Sequence, residues 1–205
     1  LLALGAAAVG LEQWHHTGTP AWGDSTFQWV SALTTAGFGT VDLAAWPPLL
    51  LLWLILAMLM GAMAGSTGGG IKLNRVAVLL KNLAWNLRGL QRTPHEVVRL
   101  PLDTERLSED AASGRVRAAA ELTVAYLLLW LLAVLALLHL LPAATPMAAV
   151  FFEAASAQAS VGLSAGITSP ELPLAAKLVV MAQMWMGRLE IFPAMVLLAW
   201  AVAWR

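Results

Sequence analysis

Two stretches of this chain carry residue types that suit the coordination of a bare cation. Ser31-Ala-Leu-Thr-Thr-Ala-Gly-Phe-Gly-Thr40 places hydroxyls and glycines between segments otherwise fit for lipid. Backbone at membrane depth must satisfy its own polar groups, so a Gly-rich break there is tolerated only inside protein or beside a watery cavity. A Thr-x-Gly-x-Gly run that goes extended turns carbonyls and a hydroxyl toward a dehydrated ion, replacing its hydration shell. Phe151-Phe-Glu-Ala-Ala-Ser-Ala-Gln-Ala-Ser-Val-Gly-Leu-Ser-Ala-Gly166 repeats the order of parts: an amphipathic stretch with Ser, a small polar residue, one further residue, Gly, and an apolar residue. An interfacial helix ending in a Gly turn is the plainer account of the first stretch. The second copy argues against it.

A third stretch is richer still in glycine. Gly61-Ala-Met-Ala-Gly-Ser-Thr-Gly-Gly-Gly70 holds five glycines in ten residues, each costing about 1 kcal/mol relative to Ala inside a helix. A continuous helix is not expected there, and the alternatives are a plain helix-ending loop or a mobile loop inside the membrane. Gly65 and Gly70 have the separation of a phosphate-binding loop, but Ile71 stands where that loop requires Lys. Met184-Trp-Met-Gly-Arg-Leu-Glu-Ile-Phe192 carries a cation in apolar surroundings. A charge at membrane depth costs roughly 2.5–3.5 kcal/mol even on the lenient insertion scale, so Arg188 is expected to face a watery pathway or a partner. A structural charge near the interface is the competing account. Glu190 does not share its helix face at i+2.

Catalysis finds no support in the remaining polar residues. His15 and His16 are adjacent, project apart on a helix and have no third ligand close in sequence, so an exposed loop through Pro20 is expected and no metal. Glu153 is expensive to bury unless it accepts hydrogen bonds, and an anchor for the neighbouring loop is expected of it. The composition is 60% hydrophobic and 12% charged, with a mean hydropathy of +0.74, outside the range of soluble domains, where about a quarter of residues are charged. That describes an integral membrane protein. No cysteine is present and the formal net charge is zero, so neither a disulfide framework nor nucleic-acid binding is indicated.

The elements that must position these residues follow from hydropathy. Leu1 to Leu11 is shorter than the roughly 20 apolar residues of a bilayer crossing. It has no signal-peptide flanks, and the expectation is a segment that begins within a helix. Asp24 and Ser25 are expected to cap a short helix reaching about Thr34, whose negative dipole end would face Thr35 to Gly39. Pro47 to Ala64 reads as a membrane helix with Pro47 and Pro48 in its first turn. Residues 72–117 hold nine of the 12 Lys and Arg residues, from Lys72 through Arg117, and the positive-inside rule makes this tract cytoplasmic. Within it Val76 to Leu90 suits an amphipathic helix, followed by a solvated linker or a docking surface. Both loops then open outward, one crossing away on either side. Ala118 to Leu141 is a second span, with His139 at the interface, and Pro142 and Pro146 bracket a turn before a short helix from Met147 to Ala159. Glu171 to Arg205 is long enough to bend, with Pro193 as the site.

With these residues in view, the chain resembles the Trk/Ktr/HKT superfamily of potassium transporters, of the TrkH- and KtrB-type membrane subunits. The resemblance rests on Ser31 to Phe38, Ala64 to Lys72, Phe152-Glu153, Ser160-Val-Gly-Leu-Ser164 and Met186 to Phe192, in the family's order across almost the entire chain. Arg188 to Phe192 is closer to TrkH and Val161 to Ser164 closer to KtrB. The resemblance implies an all-α membrane fold of repeated membrane helix, pore helix, filter loop and membrane helix around a pseudo-fourfold pore, of which this chain supplies the last two repeats. Residues 1–90 would be the third repeat with its first helix truncated, 91–117 a cytoplasmic linker and 118–205 the fourth repeat. Thr35, Ala36, Gly37 and Phe38, with Ser160, Val161, Gly162 and Leu163, would be two quarters of a potassium selectivity filter. Gly65, Ser66, Thr67, Gly68, Gly69 and Gly70 would gate the cavity below, with Arg188 projecting toward them. The implied activity is potassium uptake across a prokaryotic cytoplasmic membrane, without enzymatic chemistry or covalent cofactor. Implied partners are a second copy, membrane lipid and a cytoplasmic TrkA- or KtrA-like ring that carries the regulatory nucleotide. A sodium-permeable or cation-coupled transporter of the same fold, and a membrane scaffold whose glycines only allow close helix packing, are the rival readings.

Overall fold

The computed structural model describes residues 2–18, 21–89, 109–188 and 200, and among these there are helices, turns and extended loops but no strand. The order is α1 (Leu2–Thr17), α2 (Trp22–Leu33), a single 3-10 turn at Leu43–Ala45, α3 (Pro48–Met60), α4 (Leu73–Gly89), α5 (Glu109–Leu140), α6 (Met147–Gln158) and α7 (Leu174–Arg188).

Helix α3 runs from Pro48 in its first turn to Gly61, whose φ of 69° ends it. Its 13 residues rise about 20 Å, less than the roughly 30 Å of a hydrocarbon core. The helix expected through Ala64 therefore stops four residues early, because Ile71 N–H turns back onto Leu59 O at 2.9 Å and Leu73 N–H onto Ala62 O at 3.1 Å. Helix α5 departs from expectation in the other direction. It starts at Glu109, nine residues ahead of the expected span, and its apolar part, Ala111–Leu140, is the one described helix long and apolar enough to cross a membrane. Val124, Leu127, Leu128, Leu131, Leu132 and Leu135 are exposed along it, a surface suited to lipid or further protein rather than water.

The remaining helices pack around the short helices α2 and α6. Helix α1 lies on α2 and touches α3, α2 lies on α3, α3 on α6, and α6 on both α5 and α7, while α4 leans on α5. The α1–α2 contact uses missing side chains: a Cβ on Gly5 would lie 1.9 Å from the Trp29 ring, and one on Gly10 would lie 2.3 Å from Trp22. Such small-residue contacts let helices approach closely where lipid supplies no hydrophobic drive. One core joins Trp29, Leu33, Leu54 and Met58 to Phe152, Ala155 and Ala159 across the α3–α6 seam. A second joins α5, α6 and α7 through Val134, Leu137, Val150, Ala154, Ala176 and Val180.

The amino-terminal expectations need two corrections. His15 and His16 lie in the last turn of α1 rather than in a loop. Glu12 supplies the nearby third group that sequence proximity had hidden, since i and i+4 share a helix face, and it pairs with His16 Nε2 at 3.2 Å. The three side chains offer ligand atoms within 4.8 Å of one another at an exposed helix end. Asp24 and Ser25 do not cap α2. The helix begins ahead of them, at Trp22 after Ala21, with no side-chain cap. Both are spent on tertiary bonds instead, Ser25 Oγ to Gln13 Oε1 and Asp24 Oδ1 from Thr40 Oγ1 at 2.8 Å. Pro193 and Glu190 lie outside the described residues, as does the proposed bend, and so does the stretch from Thr93 to Leu102.

Candidate functional site

Helices α2 and α6 end in the same hydrogen-bonded turn. After α2, Thr35 N–H reaches Ala32 O at 3.3 Å and Ala36 N–H reaches Ser31 O at 3.0 Å. After α6, Ser160 N–H reaches Ala157 O at 3.1 Å and Val161 N–H reaches Ser156 O at 2.9 Å. This is the Schellman pairing, which needs a left-handed residue just past the cap and normally takes Gly there. Here the residues are Thr35, with φ of 58°, and Ser160, with φ of 53°. A left-handed non-glycine costs about 1–2 kcal/mol, and such strain gathers where surrounding structure over-determines the backbone.

Beyond each cap the chain passes a glycine with positive φ, 78° at Gly37 and 94° at Gly162. The two loops meet there: a Cβ on Gly37 would stand 1.8 Å from Val161 O. Only glycine allows that approach together with that φ. Serines at matching places steady both turns. Ser31 Oγ donates to Phe38 O at 2.7 Å, and Ser156 Oγ accepts from Gly162 N–H at 3.2 Å. Phe38 itself is exposed, whereas Val161 and Leu163 are buried.

Glu153 performs the anchoring role expected of it. Its Oε1 accepts from Ser164 Oγ at 2.5 Å, Ala165 N–H at 3.0 Å and Ile167 N–H at 3.2 Å, and its Oε2 from Thr168 Oγ1 at 2.9 Å. The carboxylate is 5% exposed, and these donors offset its desolvation.

The third glycine stretch lies directly against both caps. Gly69 N–H donates to Ala159 O at 3.2 Å, where a Cβ on Gly69 would come within 2.3 Å. A Cβ on Gly68 would stand 2.0 Å from Thr35 Oγ1. From the far end of the chain, Arg188 Nη1 donates to Thr67 O at 2.7 Å, 121 residues away in sequence. Helix α7 comes close enough because Gly187 has no side chain: a Cβ there would lie 1.7 Å from Gln158 O. Thr35, Gly37, Val161, Thr67, Gly68, Gly69 and Arg188 are thus brought together at the carboxyl ends of α2 and α6, whereas Phe38 is exposed and a Cβ on Gly65 would meet nothing within 4 Å. Both helices direct the negative ends of their dipoles into this region.

Comparison with known proteins decides the lineage. Residues 18–202 match the family described as TrkH, a cation transport protein. The chain belongs to the TrkH family. It is 33% identical over 181 residues to the Trk system potassium uptake protein TrkH of Escherichia coli (strain K12), covering 83% of this chain and 34% of that protein. Against the Ktr system potassium uptake protein B of Vibrio alginolyticus the identity is 33% over 200 residues, covering 92% and 40%. An uncharacterized cation transporter of Methanocaldococcus jannaschii is 33% identical over 177 residues, covering 86% and 36%. The crystal structure of the potassium transporter TrkH from Vibrio parahaemolyticus superposes with a TM-score of 0.77 at 29% identity, covering 96% of this chain and 42% of that one. The chain spans roughly a third to two-fifths of these relatives' lengths. Its all-helical architecture is that of this membrane-transporter family.

Several residues of this TrkH-family chain escaped the sequence reading. Lys72, the first residue of the basic tract, is 2% exposed, and its Nζ donates to the carbonyls of Ser66 and Gly68. Gln158 and Gln183 are buried between helices: Gln158 Nε2 donates to Tyr126 O at 2.7 Å and Gln183 Nε2 to Ala154 O at 3.3 Å. Gln28 occupies on α2 the place Glu153 holds on α6, seven residues ahead of the left-handed cap, and donates to Thr40 Oγ1 at 3.3 Å. The matching place of Gln28 and Glu153 ahead of their loops was visible in the sequence.

Proposed function

We propose that this chain supplies two of the four quadrants of a potassium-conducting pore in a prokaryotic cytoplasmic membrane. Thr35 to Phe38 and Ser160 to Leu163 line its selectivity filter with backbone carbonyls and select potassium by replacing its hydration shell. The Gly65 to Gly70 loop with Arg188 forms a gate below. The observation that carries this reading is the matched pair of strained caps, each followed by a positive-φ glycine, meeting at Gly37 and Val161. Potassium uptake is also the function in the printed names of the TrkH and Ktr relatives. The rest of the pore comes from the part of those relatives that this chain does not cover. The filter opens outward, the basic tract from Arg75 to Arg117 is cytoplasmic, and no covalent cofactor takes part. The working unit is a homodimer on a cytoplasmic nucleotide-binding ring of the TrkA or KtrA kind, which pulls on the chain leaving the loop.

A fixed charge at the gate has a definite cost for a passing cation. At a separation of about 8 Å and an effective ε of about 20, Arg188 raises the local energy of potassium by roughly 2 kcal/mol, enough to slow passage more than tenfold if it acts at the highest barrier. Potassium and sodium uptake by a transport-deficient host carrying the intact transporter tests both parts. Gly37→Ser is expected to lower the preference for potassium over sodium, and Arg188→Ala to raise flux in the absence of the regulatory ring. Arg188→Lys keeps the charge and should stay closer to the parent. Unchanged discrimination in the first variant removes the loop from the filter, and unchanged basal flux in properly inserted Arg188→Ala removes Arg188 from the gate.

A further inference from the structure

Lys72 stands at the head of α4, where its carbonyl accepts from Val76 N–H at 3.2 Å and from Arg75 N–H at 3.0 Å. Three local preferences oppose a lysine there. The position before a helix favours Ser, Thr, Asp, Asn or Gly, whose side chain or freedom serves the exposed N–H groups. The helix amino terminus is its positive end, so an ammonium group beside it is electrostatically unfavourable. The backbone is left-handed, with φ of 76°, which a lysine side chain resists. The side chain is also buried, at 2% exposure. Sites that break local rules on several levels at once are where a compensating tertiary role is found.

The compensation is visible in the loop. Lys72 Nζ reaches Ser66 O at 3.0 Å and Gly68 O at 2.5 Å, while Arg188 holds the carbonyl between them, Thr67 O, at 2.7 Å. Three successive carbonyls are therefore taken by two side-chain cations. One comes from the loop's own end and the other from the opposite repeat. The bonds from Lys72 close a ring within residues 66–72 and fix the shape of the curl. The bond from Arg188 fixes only where the curl is docked.

We propose that Lys72 is the positioning residue of the gate, a tethered cation that keeps the 65–70 loop curled so that it swings as one piece when Arg188 releases Thr67. This rests on the gate assignment made above. A loop of this glycine content would otherwise unravel on release, and its return would require the whole conformation to be found again. With the curl preserved, opening and closing involve two docking bonds, Arg188 Nη1 on Thr67 O and Gly69 N–H on Ala159 O, and one hinge.

Hydrogen–deuterium exchange of the peptide covering residues 62–73, measured on the intact transporter beside basal ion flux, tests the division of labour. Lys72→Met is expected to speed exchange across that peptide by about tenfold or more and to raise flux, whereas Arg188→Ala raises flux with exchange within about twofold of the parent. Lys72→Arg should recover part of the protection. Lys72→Gly separates the ammonium from the backbone, because it relieves the left-handed strain while removing the charge: it too should lose protection. Parental exchange in Lys72→Met, equal loosening in Arg188→Ala, or restored protection in Lys72→Gly would each overturn the proposal. Parental flux in Arg188→Ala with the expected exchange pattern would instead overturn the gate assignment and leave Lys72 as the clamp of a loop with another role.

Discussion

The loop after α2 is fastened to its helix by a single relay through one hydroxyl: Gln28 Nε2 donates to Thr40 Oγ1 at 3.3 Å, and Thr40 Oγ1 donates to the Asp24 carboxylate at 2.8 Å. The loop after α6 is fastened by a carboxylate, with Glu153 accepting from two hydroxyls and at least two backbone N–H groups over residues 164–168. Both fasteners end on a carboxylate, but Glu153 gathers at least four donors from its loop and Asp24 only one, so the second loop is held the more firmly by its own helix. The first is held largely by what it touches, since Gly37 rests against Val161 O and Thr35 against Gly68. Gly162 has no such neighbour, and a Cβ there meets nothing within 4 Å. Two segments with one backbone design thus differ in which forces define them. The second is fixed mainly by its carboxylate anchor, and the first is shaped against it and against the 65–70 loop.

The sharpest way to break this comparison is at the anchors. Glu153→Ala leaves several buried donors unpaired at about 1–3 kcal/mol each, so a loss of about 3 kcal/mol or more is expected, against about 1 kcal/mol for Gln28→Ala. Thermal unfolding of the detergent-solubilised transporter compares the two, and equal losses would mean that the loops are anchored alike. A smaller contrast is expected at the glycines. Gly37→Ala must both strain φ and displace the Val161 backbone, for about 3 kcal/mol in total, while Gly162→Ala meets only the backbone strain of about 1–2 kcal/mol. If Gly162→Ala costs as much, its surroundings are tighter than the described residues make them. The smallest effect has the opposite sign. Ser160→Gly suits the left-handed cap and removes a buried hydroxyl without a partner, so the same unfolding measurement should find a gain of about 0.5–1 kcal/mol. Thr35→Gly should gain less, because it gives up the bond from Thr35 Oγ1 to Thr34 O at 2.7 Å.

Much of the candidate site was legible because its signals are local. Glycine runs, prolines in a first turn and a charge in an apolar stretch each have a direct backbone or desolvation cost, which is why the break after α3 and the part played by Glu153 could be anticipated. Asp24 and Ser25 show where local logic fails. Both are good capping residues, but Thr40 and Gln13 offered them partners that only the folded chain brings near. His15 and His16 likewise appeared to belong to a loop until α1 continued through Thr17.

Hydropathy and glycine content were enough to identify a membrane chain with two copies of a helix followed by a glycine loop, a third loop too rich in glycine to be helix, and one arginine that needs a polar partner. Those conclusions depend on hydropathy and backbone freedom, which belong to each residue and its near neighbours. It took the folded chain to show that Gly37 faces Val161, that Arg188 takes Thr67, and that Lys72 turns inward to Ser66 and Gly68 instead of outward to water. Whether a cation is solvated by water or by carbonyls depends on how the backbone around it is held: Lys72 finds its carbonyls on its own folded loop, while the packing of α6 and α7 brings Arg188 to Thr67 O, 121 residues away.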